Sequence, residues 1–551
     1  MRHIHRRSRR ALALAAWAAL SLCAACRPRG EEAQPSVAPS QSPQRGGTLV
    51  VGSLSDPVGI NEYVLPSSRV TSDVVWRIFL RLMEEQPDFT EHPPTFEPLL
   101  AKSWEQSADR KAVTFKLQPD AVWSDGVPVT AEDVRWTWQI QMDPEVGWTD
   151  RDIKRHITDV EVVDPKTVRF HFSRAYPTQL LDANEGVIIP KHVWSKLPVS
   201  EWRSNVDWFR RNLVVDGPFT LGAWEPQQQV ELVRNERYYD PEHPYLDRVV
   251  LRVIPDTASL VTQLESGTID FVAQVSRTDV PRLQANPKLD VLSYWINLYV
   301  AVGWNTEKPL FADPEVRRAL ALAIDRQTIV DTIWGEYGKV GVTPILTSVW
   351  AHDKSLQPLP FDPAEAQRIL TAKGWKDTNG DGILDRGGKP FSFEILTNAG
   401  NQQRNDSAVM IQDHLGRIGI RAQVKVIDFN TMITQTLAGN YDATILGFNM
   451  DTSLDLSSNF HSRAIDGDNN FSRYRNPELD ALLDQADQKA DFESMLPLLH
   501  QIERILYRDQ PVTVLYESKR LTGINKRVQN PQPDMIEPLA DVEEWWVKPD
   551  A

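Results

Sequence analysis

The sequence predicts an α/β protein of several domains, on three observations. Phe391–Ile395, Ser407–Ile418 and Ile420–Val426 read as strand, helix and strand, a unit whose parallel strands require a right-handed crossover. Asp-Pro pairs open amphipathic helices at Asp313–Pro314 and Asp362–Pro363, between segments with the two-residue alternation of strands. The third observation is Tyr441–Phe460, YDATILGFNMDTSLDLSSNF, an apolar run of strand length followed at once by Asn449, Met450, Asp451 and Asp455. A buried strand there delivers a carboxylate to its end, where open α/β sheets commonly bind ligands. Asp451 therefore has two readings, a ligand contact or a cap on the following turn.

At 551 residues the chain exceeds a single compact core. It begins MRHIHRRSRR, with five arginines and no acid, and continues into the twelve-residue apolar segment Ala11–Leu22. That pattern predicts a secretory signal, too short to span a bilayer. Cys23-Ala24-Ala25-Cys26 resembles a bacterial lipobox with Cys26 as the acylated residue, and an ordinary signal peptide is the alternative. Cleavage before Cys26 leaves one cysteine, hence no intrachain disulfide. It also leaves 55 basic residues against 75 acids, a formal charge of about −20. Such a surface argues against a nucleic-acid partner, because phosphate binding needs clustered Lys and Arg.

Arg27–Gly47 is rich in Pro, Ser, Gln and Gly and reads as a flexible tether. Thr48–Ser53 is a strand opening the folded body, and Val70–Met83 has helical apolar spacing. Val113, Phe115 and Leu117 alternate as a half-buried strand, and Thr130 with Asp133 forms a capping-box start. Val230 and Leu232, then Val249, Leu251 and Val253, alternate likewise, and Asp256–Gly267 is a helix stopped by glycine. The helix after Pro314 is expected to bury Val316, Ala319, Leu320, Ala323 and Ile324, and that after Pro363 to stop at Gly374.

The run PLLAKSWEQSADRKAVTFKL followed by VWSDGVPVTAEDV resembles the signature of the bacterial family 5 solute-binding proteins, the peptide and nickel receptors of ABC importers. The likeness continues through GPFTLGAWEPQQQVELVRNERYYD, NTEKPLFADPEVRRALALAIDR and YRDQPVTVLY, covering roughly residues 47–546. The resemblance implies an α/β fold: a two-lobed periplasmic-binding-protein type II clamp with an additional small domain and a discontinuous lobe I. The implied division is 1–26 signal peptide, 27–47 tether, 48–84 lobe I, 85–190 domain II, 191–300 lobe I again, 301–513 lobe III and 514–551 the last part of lobe I. It also implies a monomer, lipid-anchored on the extracytoplasmic face of a membrane, that passes a short peptide or similar solute to permease and ATPase subunits.

In peptide-binding members an aspartate shortly after a Gly-aromatic pair anchors the ligand ammonium. Gly447, Phe448 and Asp451 match that pattern here, with Asn449 between them. The chemistry suits, since an enclosed carboxylate needs a counter-charge and an ammonium supplies it with three donors. Ile445 stands where oligopeptide members carry an arginine for the ligand carboxylate, and Asp455-Leu456 where many have Asp-Pro. Arg404 lies near the position of another carboxylate-contacting residue, and Tyr299 and Trp304 are candidates for a stacking wall. Oligosaccharides and metal chelates are further ligand classes within the family.

DTNGDGILD at Asp377–Asp385 places Asp377, Asn379, Asp381 and Asp385 at calcium-loop positions, but Gly388 occupies the place of the bidentate glutamate. An Asx-rich turn is the other reading, and no metal or cofactor is expected. The sequence has no nucleophile elbow, zinc-protease motif, phosphate loop or Cys-His metal spacing. Asp451 with Asp455 as a glycosidase pair is the remaining enzyme reading. An anchored sensor without import fits the same features.

Overall fold

The structure is a computed structural model that describes residues 42–66, 68–467 and 469–548. The expected signal peptide, Cys26 and most of the tether lie outside the described residues. The body opens with β1 (Thr48–Ser53), β2 (Met83–Glu85), β3 (Phe96–Pro98), β4 (Ala101–Gln106) and β5 (Ala112–Leu117), followed by β6 (Ile157–Asp164) and β7 (Thr167–Phe172). Next come β8 (Phe219–Glu225), β9 (Gln229–Arg234), β10 (Arg248–Val253), β11 (Phe271–Val272), β12 (Leu289–Trp304) and β13 (Gly338–Val340). Then follow β14 (Asp385–Arg386), β15 (Lys389–Pro390), β16 (Ser392–Asn398), β17 (Arg421–Ile427), β18 (Ala443–Asn449) and β19 (Val512–Asn525), and a short pair, Val528–Gln529 with Trp546–Val547, comes last.

One sheet runs in the order β17-β16-β18-β12-β19-β11-β1-β10-β9-β8, with β13 added on β19. Its halves differ. β16 is parallel to β17 and β18, with the helix Gln402–Gly416 making the crossover between β16 and β17. In the other half β1 is parallel to β10 and β11. Only the long antiparallel strands β12 and β19 pass through both, pairing from Leu289↔Asn525 to Gly303↔Val512. Their ladder breaks between Trp295 and Tyr299, where a bulge adds local twist. Two lobes thus share two continuous strands. A separate antiparallel sheet, β4-β5-β7-β6, forms the small domain, and its Val113, Phe115 and Phe170 belong to the same buried core as Leu49 and Val249 of the first lobe.

The local signals hold where they are strongest. Asp313, Asp362 and Asp256 accept backbone N–H bonds as N-caps, and Gly267 ends its helix at φ +77°, the left-handed conformation glycine reaches without strain. Thr130 and Asp133 form the expected capping box. The helix expected over Val70–Met83 ends at Ile78 instead. Asp216 accepts the Leu80 N–H at 3.0 Å and Gly217 donates to Ile78 O, so tertiary bonds straighten a segment whose spacing is helical. The Asp377–Asp385 loop turns its carboxylates onto its own chain: Asp377 accepts from Gly380 and Gly382, and Asp385 from Thr378.

Candidate ligand-binding site

β16, β17 and β18 are parallel, so their carboxyl ends lie together, beside the β12–β19 bulge where the lobes join. Ligands gather in such crevices because the strand ends are rigid and the backbone beyond them is free to turn. β18 pairs with β12 so that Phe448 faces Tyr299, their rings stacked 5.2 Å apart at 14°. Both are nearly buried, and Phe471 closes on Phe448 at 6.0 Å. Met450 still donates to Asn297 O at 2.8 Å, so the ladder holds the chain until the residue before Asp451.

Asp451 then turns away from the sheet and is exposed. Its Oδ1 accepts the Ser453 N–H at 2.7 Å, an Asx turn completed by Leu454 at φ +58°. That bond engages one of the two carboxylate oxygens. Both readings of Asp451 are thus compatible with its geometry.

What surrounds Asp451 comes from the other side of the molecule. Its charge raises the carboxyls of Glu85, Asp150 and Glu185, secondary in each case to burial. Glu85 also takes a hydrogen bond from Thr452, the next residue. Glu185 is pushed up to about 7 by burial, opposed by Lys154 and reinforced by Asp451 and Glu62, yet the residue keeps accessible surface. Both hold for a group in a narrow crevice, enclosed on most sides and open to water along one. The result is a cluster of carboxyl groups, with Arg81 and Lys154 beside them, between the lobe bearing β18 and the small domain.

Arg404 reaches the same strand from a different element. Asn401 caps the helix Gln402–Gly416 and accepts the Arg404 N–H, aiming the side chain back over β18. Asn398, at the end of β16, accepts from Arg404 Nη1 at 2.9 Å. Gly447 makes the approach possible: a Cβ there would sit 2.8 Å from Arg404 Nη2. Ile445 and Gly447 lie on one face of β18, so the guanidinium that β18 itself lacks at Ile445 arrives from the neighbouring helix. Burial lowers its pKa, and Nε has no hydrogen-bond partner among the described residues.

The structure thus brings Tyr299, Phe448, Asn449 and Asp451 to one strand end, with Arg404 over Gly447. It does not bring Trp304 there. Trp304 is fully buried between Phe311 and Phe393 and donates to Thr513 Oγ1 at 3.0 Å, so a stacking wall for ligand is corrected to a core residue. Glu85, Asp150 and Glu185 escape sequence reasoning because domain packing alone places them opposite Asp451; their local sequence carries no signal.

Buried carboxyls in the small domain make a pH prediction. Asp182 is pushed up to about 7, chiefly by burial. Its folded pKa exceeds the unfolded value of about 3.9, so the folded state binds the proton more tightly and stability falls as pH rises between those two values. Thermal melting is expected at a higher temperature near pH 5 than near pH 7, and Asp182→Asn should flatten that slope.

Two lobes joined by a pair of strands, with an acidic strand end facing the other side of the crevice, define a solute-binding clamp. Comparison with known proteins agrees. The family model described as bacterial extracellular solute-binding proteins, family 5 middle, matches residues 95–470. The chain is 30% identical over 535 residues to the oligopeptide-binding protein AppA of Bacillus subtilis, covering 96% of each. The structure of that protein with a nonapeptide superposes at a TM-score of 0.77, 29% identity, 92% of this chain and 100% of the other. NikZ from Campylobacter jejuni with Ni(L-His) shares the fold at a TM-score of 0.78 and 23% identity, covering 91% and 99%. The protein belongs to the bacterial extracellular solute-binding family 5, the substrate-binding proteins of peptide and nickel ABC transporters. No helix among the described residues is long and apolar enough to cross a membrane.

Proposed function

We propose that this protein captures short peptides between its lobes and delivers them to the permease of an ABC importer, whose ATPase subunits supply the energy. It acts as a monomer held at the extracytoplasmic face of the membrane by lipid on Cys26. The single observation that carries the peptide reading is that groups of opposite charge serve the same strand: Asp451 just beyond its end among further carboxyls, and Arg404, with an unpartnered Nε among the described residues, over Gly447. A peptide carries the complementary pair, an ammonium and a carboxylate. The stacked Tyr299–Phe448 pair stiffens the strand end from below. The nonapeptide bound to the Bacillus relative supports the class of ligand.

Native mass spectrometry of the full chain with a library of short peptides tests this. Free peptides should be retained, N-acetylated ones lost, and C-terminally amidated ones weakened about tenfold, the scale of one charge-assisted hydrogen bond. Retention of a nickel–histidine chelate or an oligosaccharide in place of every peptide would overturn the reading.

A further inference from the structure

The hairpin β2–β3 starts and ends at one lobe, and its connecting loop reaches into the other. Met83 at its base is fully buried in the core shared by the first lobe and the small domain. Six residues later, Phe89 in its connecting loop is only 1% exposed, and it is buried in the opposite lobe among Ile345, Leu346 and Val349. Trp350 meets Phe89 edge-on at 6.5 Å and donates its backbone N–H to Phe89 O at 3.3 Å. Phe492 also meets Trp350 edge-on, at 5.7 Å. A phenylalanine in a polar loop that buries itself in a neighbouring lobe joins the two bodies.

Ion pairs continue the seam. Asp491, next to Phe492, takes Arg110 Nη1 at 3.0 Å, and Asp487 takes Arg174 Nη2 at 2.8 Å and Arg155 Nη2 at 3.3 Å. All three arginines belong to the small domain and both aspartates to the lobe bearing β18. This contact is separate from β12 and β19, the two strands through which the lobes are covalently continuous.

We propose that the β2–β3 loop is a latch that holds the clamp shut, with Phe89 as a plug seated beside Trp350 and the Asp487 and Asp491 ion pairs as its salt-sensitive rim. Opening about the β12–β19 bulge withdraws Phe89 from its socket. The exposed ring then carries a hydrophobic penalty that favours reclosure. The latch acts on the lobes whatever the ligand is, so its test is independent of the peptide reading.

The test uses the full chain without added ligand, read by solution X-ray scattering and by amide exchange of the segment 345–352. Phe89→Ala should increase the radius of gyration and speed exchange of the Trp350 amide at least about tenfold, while the helix Gln402–Gly416 stays protected and Phe89→Leu behaves as the parent. Asp487→Asn leaves the plug and removes part of the rim. The parent should expand between about 0.05 M and about 1 M salt, and this variant by clearly less. An unchanged radius for Phe89→Ala, faster exchange spread evenly over the whole lobe, or an Asp487→Asn variant as salt-sensitive as the parent would overturn the latch.

Discussion

Asp451→Ala is expected to weaken peptide binding at least about 30-fold while the unliganded protein melts within about a degree of the parent. Removing one member of an enclosed charge pair costs about 2 kcal/mol or more, because the ligand ammonium then faces only Glu85, Asp150 and Glu185, whose charged forms burial disfavours. The free protein loses little, since Asp451 is exposed and the one hydrogen bond its side chain makes among the described residues is the turn contact to Ser453. Asp451→Asn sharpens the test. It keeps an oxygen to accept the Ser453 N–H and removes only the charge, so a fall in affinity as large as that of the alanine variant assigns the effect to electrostatics. Isothermal titration with a retained peptide and thermal melting of the unliganded forms are the two measurements. Full affinity in both variants would remove Asp451 from the binding role and leave it a turn cap.

Glu537→Ala is expected to destabilise the protein by about 3–5 kcal/mol, the usual consequence of leaving a buried charge without its partner. Glu537 is nearly buried and accepts from Arg77 Nη2 at 2.7 Å, with Arg69 and Arg81 at 3.7 and 3.8 Å. Burial alone would raise its carboxyl; Arg77, Arg81 and Arg69 outweigh that and hold it below the ordinary range. Arg77 also donates to Leu539 O, so the cluster ties the helix Arg69–Ile78 to a segment more than four hundred residues away. Denaturant unfolding measures the loss. The double variant Arg77→Met, Glu537→Met should lose less than the sum of the single changes, because the two residues share one interaction. Additivity would show that the pair is not the source of the cost.

These two sites were differently legible. Asp451 stands three residues beyond an apolar run that ends at Phe448, and a strand delivering a carboxylate to its end is visible in the chain itself. Nothing around Glu537 announces a buried ion pair, since its partners lie on the first helix and just after it. Arg404 falls between: its place before a capped helix could be read, but its approach to β18 depends on Gly447 having no side chain and on Asn398 receiving one of its nitrogens. Trp304 shows the opposite case, an aromatic near the expected site whose ring turns into the core.

The sequence by itself determined the elements whose signals are local: the capped helices after Asp256, Asp313 and Asp362, the alternating strands, the α/β class and, through its long family-like runs, the solute-binding assignment. Such signals depend on neighbours within one or two turns of backbone, which the chain supplies wherever it folds. Only the tertiary structure decided that Val70–Met83 breaks at Ile78, that Glu85, Asp150 and Glu185 face Asp451, and that Phe89 crosses into the other lobe. Those outcomes come from burial and charge between segments tens to hundreds of residues apart, where the free energy belongs to the contact and not to either sequence alone.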